Sequence, residues 1–336
     1  MSRLRAIAAP ALAALLLALA GCGEKEESTA GSLEEFDLAL DFYVNPDHAG
    51  IYQALEAGYF EDAGIALRPR VPSDPSAPIR QVAAGQVDLA ISYEPEVMLA
   101  RDQGLDVVAV AALVHGPLTS LISLPAGGVA EPADLAGKTV VTAGIPYQTV
   151  YLDTILRSAG VDPAEVDQVD VGFNLMQPLL AGRADAMLGG FLNVEGVDLA
   201  ERGLDPRVVP VDELGIPTYD ELVLVADAER LEEDPGEIEA FLAALERGTE
   251  AAAADPAAAT EALLAAEDAL DPDLTRAQVD ATLPLLTAPK GEPFGYMDPA
   301  EWEAFAGFLA DKGQISVRPA ASELLTDELL PGEIGE

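Results

Sequence analysis

Polar and aromatic side chains gather in short clusters that follow apolar, strand-like runs, and these clusters hold most of the chain's chemistry-bearing residues. Residues 42–52 bring Tyr43, Asn45, Asp47, His48 and Tyr52 together, and residues 72–76 carry Ser73, Asp74 and Ser76. Residues 92–96 carry Ser92, Tyr93, Glu94 and Glu96. Further along, residues 144–148 hold Tyr147 and Gln148, residues 173–174 are Phe173 and Asn174, and residues 190–196 hold Phe191, Asn193 and Glu195. Open α/β sheets bind small ligands at the carboxyl ends of their strands, so these clusters together imply a ligand crevice. Singly, each could be a cap or a turn, Asp47 and Asn174 above all.

Catalytic constellations are not part of this pattern. His48 and His115 are the only histidines, and neither has zinc-ligand spacing to a partner. The chain has no phosphate-binding loop, no Gly-rich dinucleotide fingerprint and no Gly-x-Ser-x-Gly elbow. No catalytic residue, metal or cofactor is therefore expected, and the chain reads as a binding protein.

The elements that must position these clusters alternate. Residues 36–42 read as a strand, followed by a helix near 49–57, a strand near 66–71 and a helix near 77–84. Strands at 89–92 and 107–113, with a helix near 96–103 between them, continue a mostly parallel sheet covered by helices. Residues 84–91 then match residues 181–188: a helix ends at Gly85 or Gly182, and Asp88 or Asp185 leads into an apolar strand. The match suits two similar lobes, although it could also be a common helix-to-strand connector. Apolar runs at 118–124 and 222–226 would carry the chain to the second lobe and back, a hinge-forming geometry. The domains expected are 36–118 with 223–336 for the first lobe and 119–222 for the second. Residues beyond 229 read as acidic helices at 235–254, 256–267, 274–286 and 299–312, with Pro235, Pro256 and Pro299 at helix starts.

The N-terminus and the composition set the compartment. Arg3 and Arg5 precede an Ala- and Leu-rich run that ends in Leu19-Ala20-Gly21-Cys22, resembling a bacterial lipobox. The run is short for a membrane span, which needs about 20 residues, so residues 1–21 read as a signal peptide and Cys22 as the lipidation site. Residues 22–35 read as a flexible stalk. The protein is thus expected outside the cytoplasm, tethered to the cell membrane only through its lipid. The formal net charge is −41, which excludes nucleic acid as a partner because phosphate contacts need clustered cations. Acids spread along the whole chain suit a salty exterior, though a coding bias would leave the same trace.

The clusters also resemble a family. LDFYVNPDHAGIY (40–52), PSDPSAP (72–78), ISYEPE (91–96), RDQG (101–104), PLTSL (117–121), TAGIPYQ (142–148), GFNL (172–175) and VDELGIPTYDE (211–221) resemble the thiamine-pyrimidine-precursor binding proteins. Those proteins are relatives of the fungal thiamine-pyrimidine synthases. The resemblance implies a type II periplasmic-binding-protein fold, two lobes joined by two crossover strands. It also implies a monomeric substrate-binding lipoprotein of an ABC importer that hands formylaminopyrimidine or hydroxymethylpyrimidine to a membrane permease. Another planar ligand, such as a nitrogen heterocycle or a sulfonate, is the alternative. Against the synthase reading, the position of the synthases' cofactor-bearing lysine aligns with Ser92, that of their donor histidine with Glu96, and their cysteine cluster has no counterpart.

The ligand implied by that resemblance assigns roles. An aminopyrimidine has two apolar faces and an edge where a ring nitrogen sits beside an amine. Tyr43, Tyr93, Tyr147 and Phe191 are the candidate stacking rings. Glu195 is the favoured edge carboxylate, with Glu94 second. Asn45, His48, Asn174 and Asn193 would complete the polar contacts, unless His48 pins its loop from behind.

Overall fold

A computed structural model describes residues 33–332. The expected signal peptide, Cys22 and most of the expected stalk lie outside these residues. The stalk's last part is corrected: Glu34 and Glu35 already belong to the first strand.

Ten strands form two five-stranded sheets. The first contains β1 (Glu34–Ala39), β2 (Ile65–Arg70), β3 (Leu89–Ser92), β4 (Val107–Val114) and β10 (Leu222–Asp227), in the order β2-β1-β3-β10-β4. The second contains β5 (Thr119–Ser123), β6 (Thr139–Thr142), β7 (Asp167–Asp170), β8 (Ala186–Phe191) and β9 (Arg207–Pro210), in the order β7-β6-β8-β5-β9. The sheets are mixed rather than simply parallel. In each, the strand reached by crossing from the other sheet, β10 or β5, runs antiparallel to both neighbours. This is the type II periplasmic-binding-protein arrangement.

The short repeat marks equivalent points of the two sheets. Gly85 and Gly182 both take positive φ, ending their helices without a Cβ penalty. Asp88 then accepts the Asp37 N–H and returns its own N–H to the Asp37 carbonyl, stitching β3 to β1. Asp185 does the same with Thr139, stitching β8 to β6. The carboxylate caps a strand edge that would otherwise leave a backbone donor unpaired.

Asp-Pro pairs start the acidic helices after β10. Asp234, Asp255, Asp271 and Asp298 each accept a backbone N–H of the first turn, and the following Pro needs no donor there. The third of these helices therefore begins at Pro272 rather than at Leu274, and it ends at Thr282, where a 3₁₀ turn takes over. The helix Pro235–Ala254 crosses Ala49–Glu56 at very close range. A Cβ placed on Gly248 would lie 2.3 Å from the Gly50 carbonyl oxygen and 2.5 Å from the Ala54 Cβ. Both neighbours are helix backbone or core, so neither can give way cheaply.

Gly248→Ala is accordingly expected to destabilise the fold by about 1–3 kcal/mol, the usual cost of overpacking. A denaturant titration whose midpoint is unchanged would contradict this close crossing.

Candidate functional site

The two crossings between the sheets, residues 115–118 and 211–221, are tied together by one carboxyl group. Glu221, fully buried, accepts the N–H groups of Leu118 and Thr119, the Thr119 hydroxyl and the Tyr219 hydroxyl, at 2.7–2.9 Å. Burial pushes this carboxyl up to about 7 against the opposing pull of those donors. Beside it the second crossing makes another buried contact: the Asp220 N–H donates to Glu94, and the Trp302 indole N–H donates to the Asp220 side chain.

Between the sheets lies a cleft with about 360 Å³ of empty space, open solvent included. The first lobe contributes Asp41, Phe42, Asn45 and Tyr93; the second contributes Ile145, Tyr147, Gln148, Phe191 and Glu195. Four of these are aromatic and two are acids, and no lysine or arginine among the described residues lines the cavity. Asp41 is held on both oxygens: His48 Nε2 lies 2.9 Å from one, and the Tyr93 hydroxyl donates to the other at 2.9 Å. The Asn45 N–H donates to His48 Nδ1 at 3.3 Å, so the ring proton sits on Nε2 and is given to Asp41. Opposite, Glu195 opens the helix Glu195–Glu201 and accepts the Phe191 N–H at 2.8 Å. Its carboxyl faces the cavity but is enclosed by protein, and that desolvation pushes it up to about 7.

Gly189 completes the wall. Its φ of 108° and the 2.3 Å that would separate a Cβ from the Gln148 amide nitrogen leave room only for glycine. Gln148 in turn is fixed by accepting the Ala143 N–H.

Of the residues expected to touch a ligand, Asn45, Tyr93, Tyr147, Phe191 and Glu195 line the cavity. Asn45 does so with its amide already engaged, accepting from the Asp47 N–H and donating to the Tyr43 carbonyl. Five others stand off the cavity wall, His48 in the alternative role left open for it. Tyr43 is 53% exposed and sits at the rim, packed on Phe42 and on Phe173 with centroids 4.4 Å apart from the latter. His48 stands behind Asp41 and pins its loop. Glu94 points away, toward Asp220, and burial together with the Asp220 charge raises its carboxyl well above the usual range. Asn174 is exposed in the turn after β7. Asn193, fully buried, donates across the lobes to Asp47 and to Thr282. Asp41 was not singled out from the sequence, although it sits in the stretch that carries the family resemblance. Its signal was an acid just beyond β1, after Leu38-Ala39-Leu40.

Among the described residues no group of three or more His, Cys, Asp or Glu is placed to hold a metal ion. No helix among them is long and apolar enough to cross a membrane.

Comparison with known proteins adds four findings. The model of the family described as NMT1/THI5 like matches residues 45–259. The chain is similar to the formylaminopyrimidine-binding protein of Halalkalibacterium halodurans, with 36% identity over 88% of this chain and 90% of that one. It is more distantly similar to the 4-amino-5-hydroxymethyl-2-methylpyrimidine phosphate synthase of Aspergillus parasiticus, with 26% identity over 68% of this chain and 70% of the relative. Among solved structures, the alkanesulfonate-binding protein SsuA of Xanthomonas axonopodis pv. citri superposes with a TM-score of 0.67 at 14% identity, covering 87% of this chain and 98% of that one. At that identity the likeness speaks for the fold alone.

Glu96, Glu195 and Glu221 are all pushed up to about 7 by burial. The folded chain therefore binds more protons than the unfolded one between the ordinary glutamate range and about pH 7, so stability falls as pH rises through that window. A melting temperature that drops from about pH 5 to about pH 7.5 and then levels off is the expected profile; one that climbs over the same window would show these carboxyls to be solvated.

Proposed function

The chain belongs to the NMT1/THI5-like family, and from that premise we propose that it is the substrate-binding component of an ABC importer for an unphosphorylated aminopyrimidine. The observation that supports this most strongly is the cavity wall: aromatic rings on either side, two acids, and no cation. A flat heterocycle gains contact with Tyr93, Tyr147 and Phe191 on its faces. Its amine and ring nitrogen meet Glu195, and a charge-assisted pair in an enclosed site is stronger and more selective than one in water. Formylaminopyrimidine and hydroxymethylpyrimidine both offer that edge.

The same wall speaks against the alternatives. A sulfonate, as bound by the structural neighbour, would bring a fixed negative charge beside Asp41 and Glu195 with no cation to offset it. A phosphorylated pyrimidine, the product for which the synthase relatives are named, meets the same repulsion. At the position aligned with the synthases' cofactor-bearing lysine, the Ser92 hydroxyl donates to Glu96 in the buried interior. With no amine there, no Schiff base can form, and the residues present do not fit that cofactor. A binding role without turnover is the reading that the site supports.

In this reading residues 36–118 with 223–336 form one lobe and residues 119–222 the other, closing about the crossings at Glu221. The chain acts as a monomer outside the cytoplasm, held to the membrane by a lipid on Cys22, and delivers its ligand to a permease.

Two outcomes follow. Glu195→Gln is expected to weaken formylaminopyrimidine binding at least tenfold, about 1.4 kcal/mol, as read by titration calorimetry; wild-type affinity would assign the edge contact to another group. With the Glu195 carboxyl near 7 in the free protein, the complex holds one proton between that carboxyl and a ring nitrogen that is neutral in solution. Affinity should therefore be flat just below about pH 7 and fall about tenfold per unit above it. Affinity that stays constant to about pH 9 would mean that no proton is shared.

A further inference from the structure

Asn193 was expected on the ligand and is found instead between the lobes. Its amide nitrogen enters a socket with two acceptors, Asp47 Oδ1 at 2.7 Å and Thr282 Oγ1 at 2.8 Å. Asp47 lies on the 3₁₀ turn Pro46–His48 of the first lobe, whereas Thr282 ends the helix Pro272–Thr282. That helix belongs with the first lobe through the helix Pro256–Ala266, which packs on Ala49–Glu56. From the same helix, the Gln278 amide donates to the Val194 carbonyl at 2.9 Å. Residues 193 and 194 are the two positions immediately before Glu195. The contacts that join the lobes here thus hold the very turn that presents the cavity carboxylate.

The socket is also incompletely satisfied. Asp47 Oδ2 and Asn193 Oδ1 are buried and have no hydrogen-bond partner among the described residues. Such groups are costly to bury without a bond but are satisfied by water when exposed. Parting the lobes would hydrate both. Closure therefore gains three interlobe hydrogen bonds while leaving two polar atoms without a protein partner. A device of that kind adds register to the closed state without fixing it shut.

We propose that Asn193, with Asp47 and Thr282, is a reversible closure latch that sets Glu195 in its ligand-binding position only when the lobes meet. Asn193 is a positioning residue, touching no ligand itself. This deepens the proposed aminopyrimidine-binding role and rests on it. Ligand contact at Glu195 and lobe closure become one event, because a single turn carries both. Losing the latch shortens the lifetime of the complex, whereas the open protein, in which these contacts are already parted, is unaffected.

The test uses the full chain with Asn193→Leu, Thr282→Val or Thr282→Ser. Val keeps the shape of Thr and loses the acceptor; Ser keeps the acceptor. Dissociation of labelled formylaminopyrimidine is expected to speed up at least tenfold in Asn193→Leu and Thr282→Val, and to stay near wild type in Thr282→Ser. Ligand-free melting temperatures should match the wild type. Equal loss in Thr282→Val and Thr282→Ser, or a wild-type dissociation rate in Asn193→Leu, would overturn the latch. In parallel, spin labels at Val71→Cys and Val169→Cys, exposed positions on the two lobes, with Cys22→Ser, report the closed fraction with and without ligand. Asn193→Leu must lower that fraction; equal fractions overturn the latch whatever the ligand. A wild-type chain that ignores formylaminopyrimidine would sink the proposed function and leave this comparison standing.

Discussion

Carboxyl groups buried among neutral donors, with no lysine or arginine beside them, are the constraint on which the rest of this structure depends. Glu221 accepts from two backbone N–H groups and two hydroxyls, Glu94 from the Asp220 N–H, Glu96 from the Ser92 hydroxyl and Glu195 from the Phe191 N–H. Among the described residues, histidine is the only basic side chain within salt-bridge range of the buried acids, His48 beside Asp41 and His115 beside Asp220. Neutral donors lower the cost of burying an acid without cancelling its charge. The interior therefore keeps a standing preference for protons. An arginine-paired interior would have spent that preference on the protein itself; here it remains available to a ligand that carries donors.

The scaffold exposes this property at one place by repeating itself. Each sheet has the same strand order, with one antiparallel strand lent by the crossing, so the carboxyl ends of both sheets face a shared gap. The lent strands also make the hinge. Because β5 and β10 are each paired on both sides, each crossing runs from an edge strand, β4 or β9, into an interior strand of the other sheet, with the few residues around Glu221 between them. In the proposed reading, the same residue type fixes the axis of motion at Glu221 and reads the ligand at Glu195.

Much of the architecture was legible in the residues. Runs such as Leu89-Ala90-Ile91-Ser92 are buried throughout, so their apolar composition placed β3 to the residue. Pro235, Pro256 and Pro299 announced three of the acidic helices, and the Gly-to-Asp connector suited a repeated half. Side-chain direction was not legible. Residues 191, 193 and 195 share one turn, yet Phe191 and Glu195 face the cavity while Asn193 faces Asp47 and Thr282, residues far away in sequence. Glu94 follows Tyr93 immediately, but helix geometry turns it toward Asp220, 126 positions on. Asp41 was overlooked because an acid at the end of a strand is ordinarily solvated; what buries it is the pair of donors from His48 and Tyr93. Local pattern sets the backbone, and long-range partners choose which way each polar group points.

The account holds that the gap between the lobes retains a proton-bearing ring and gives it back unchanged. Mass spectrometry of the compound released by denaturing protein that was saturated with formylaminopyrimidine and freed of excess tests this most directly. The expected result is one equivalent per chain of the original mass. An empty protein, or a compound of different mass, would contradict it.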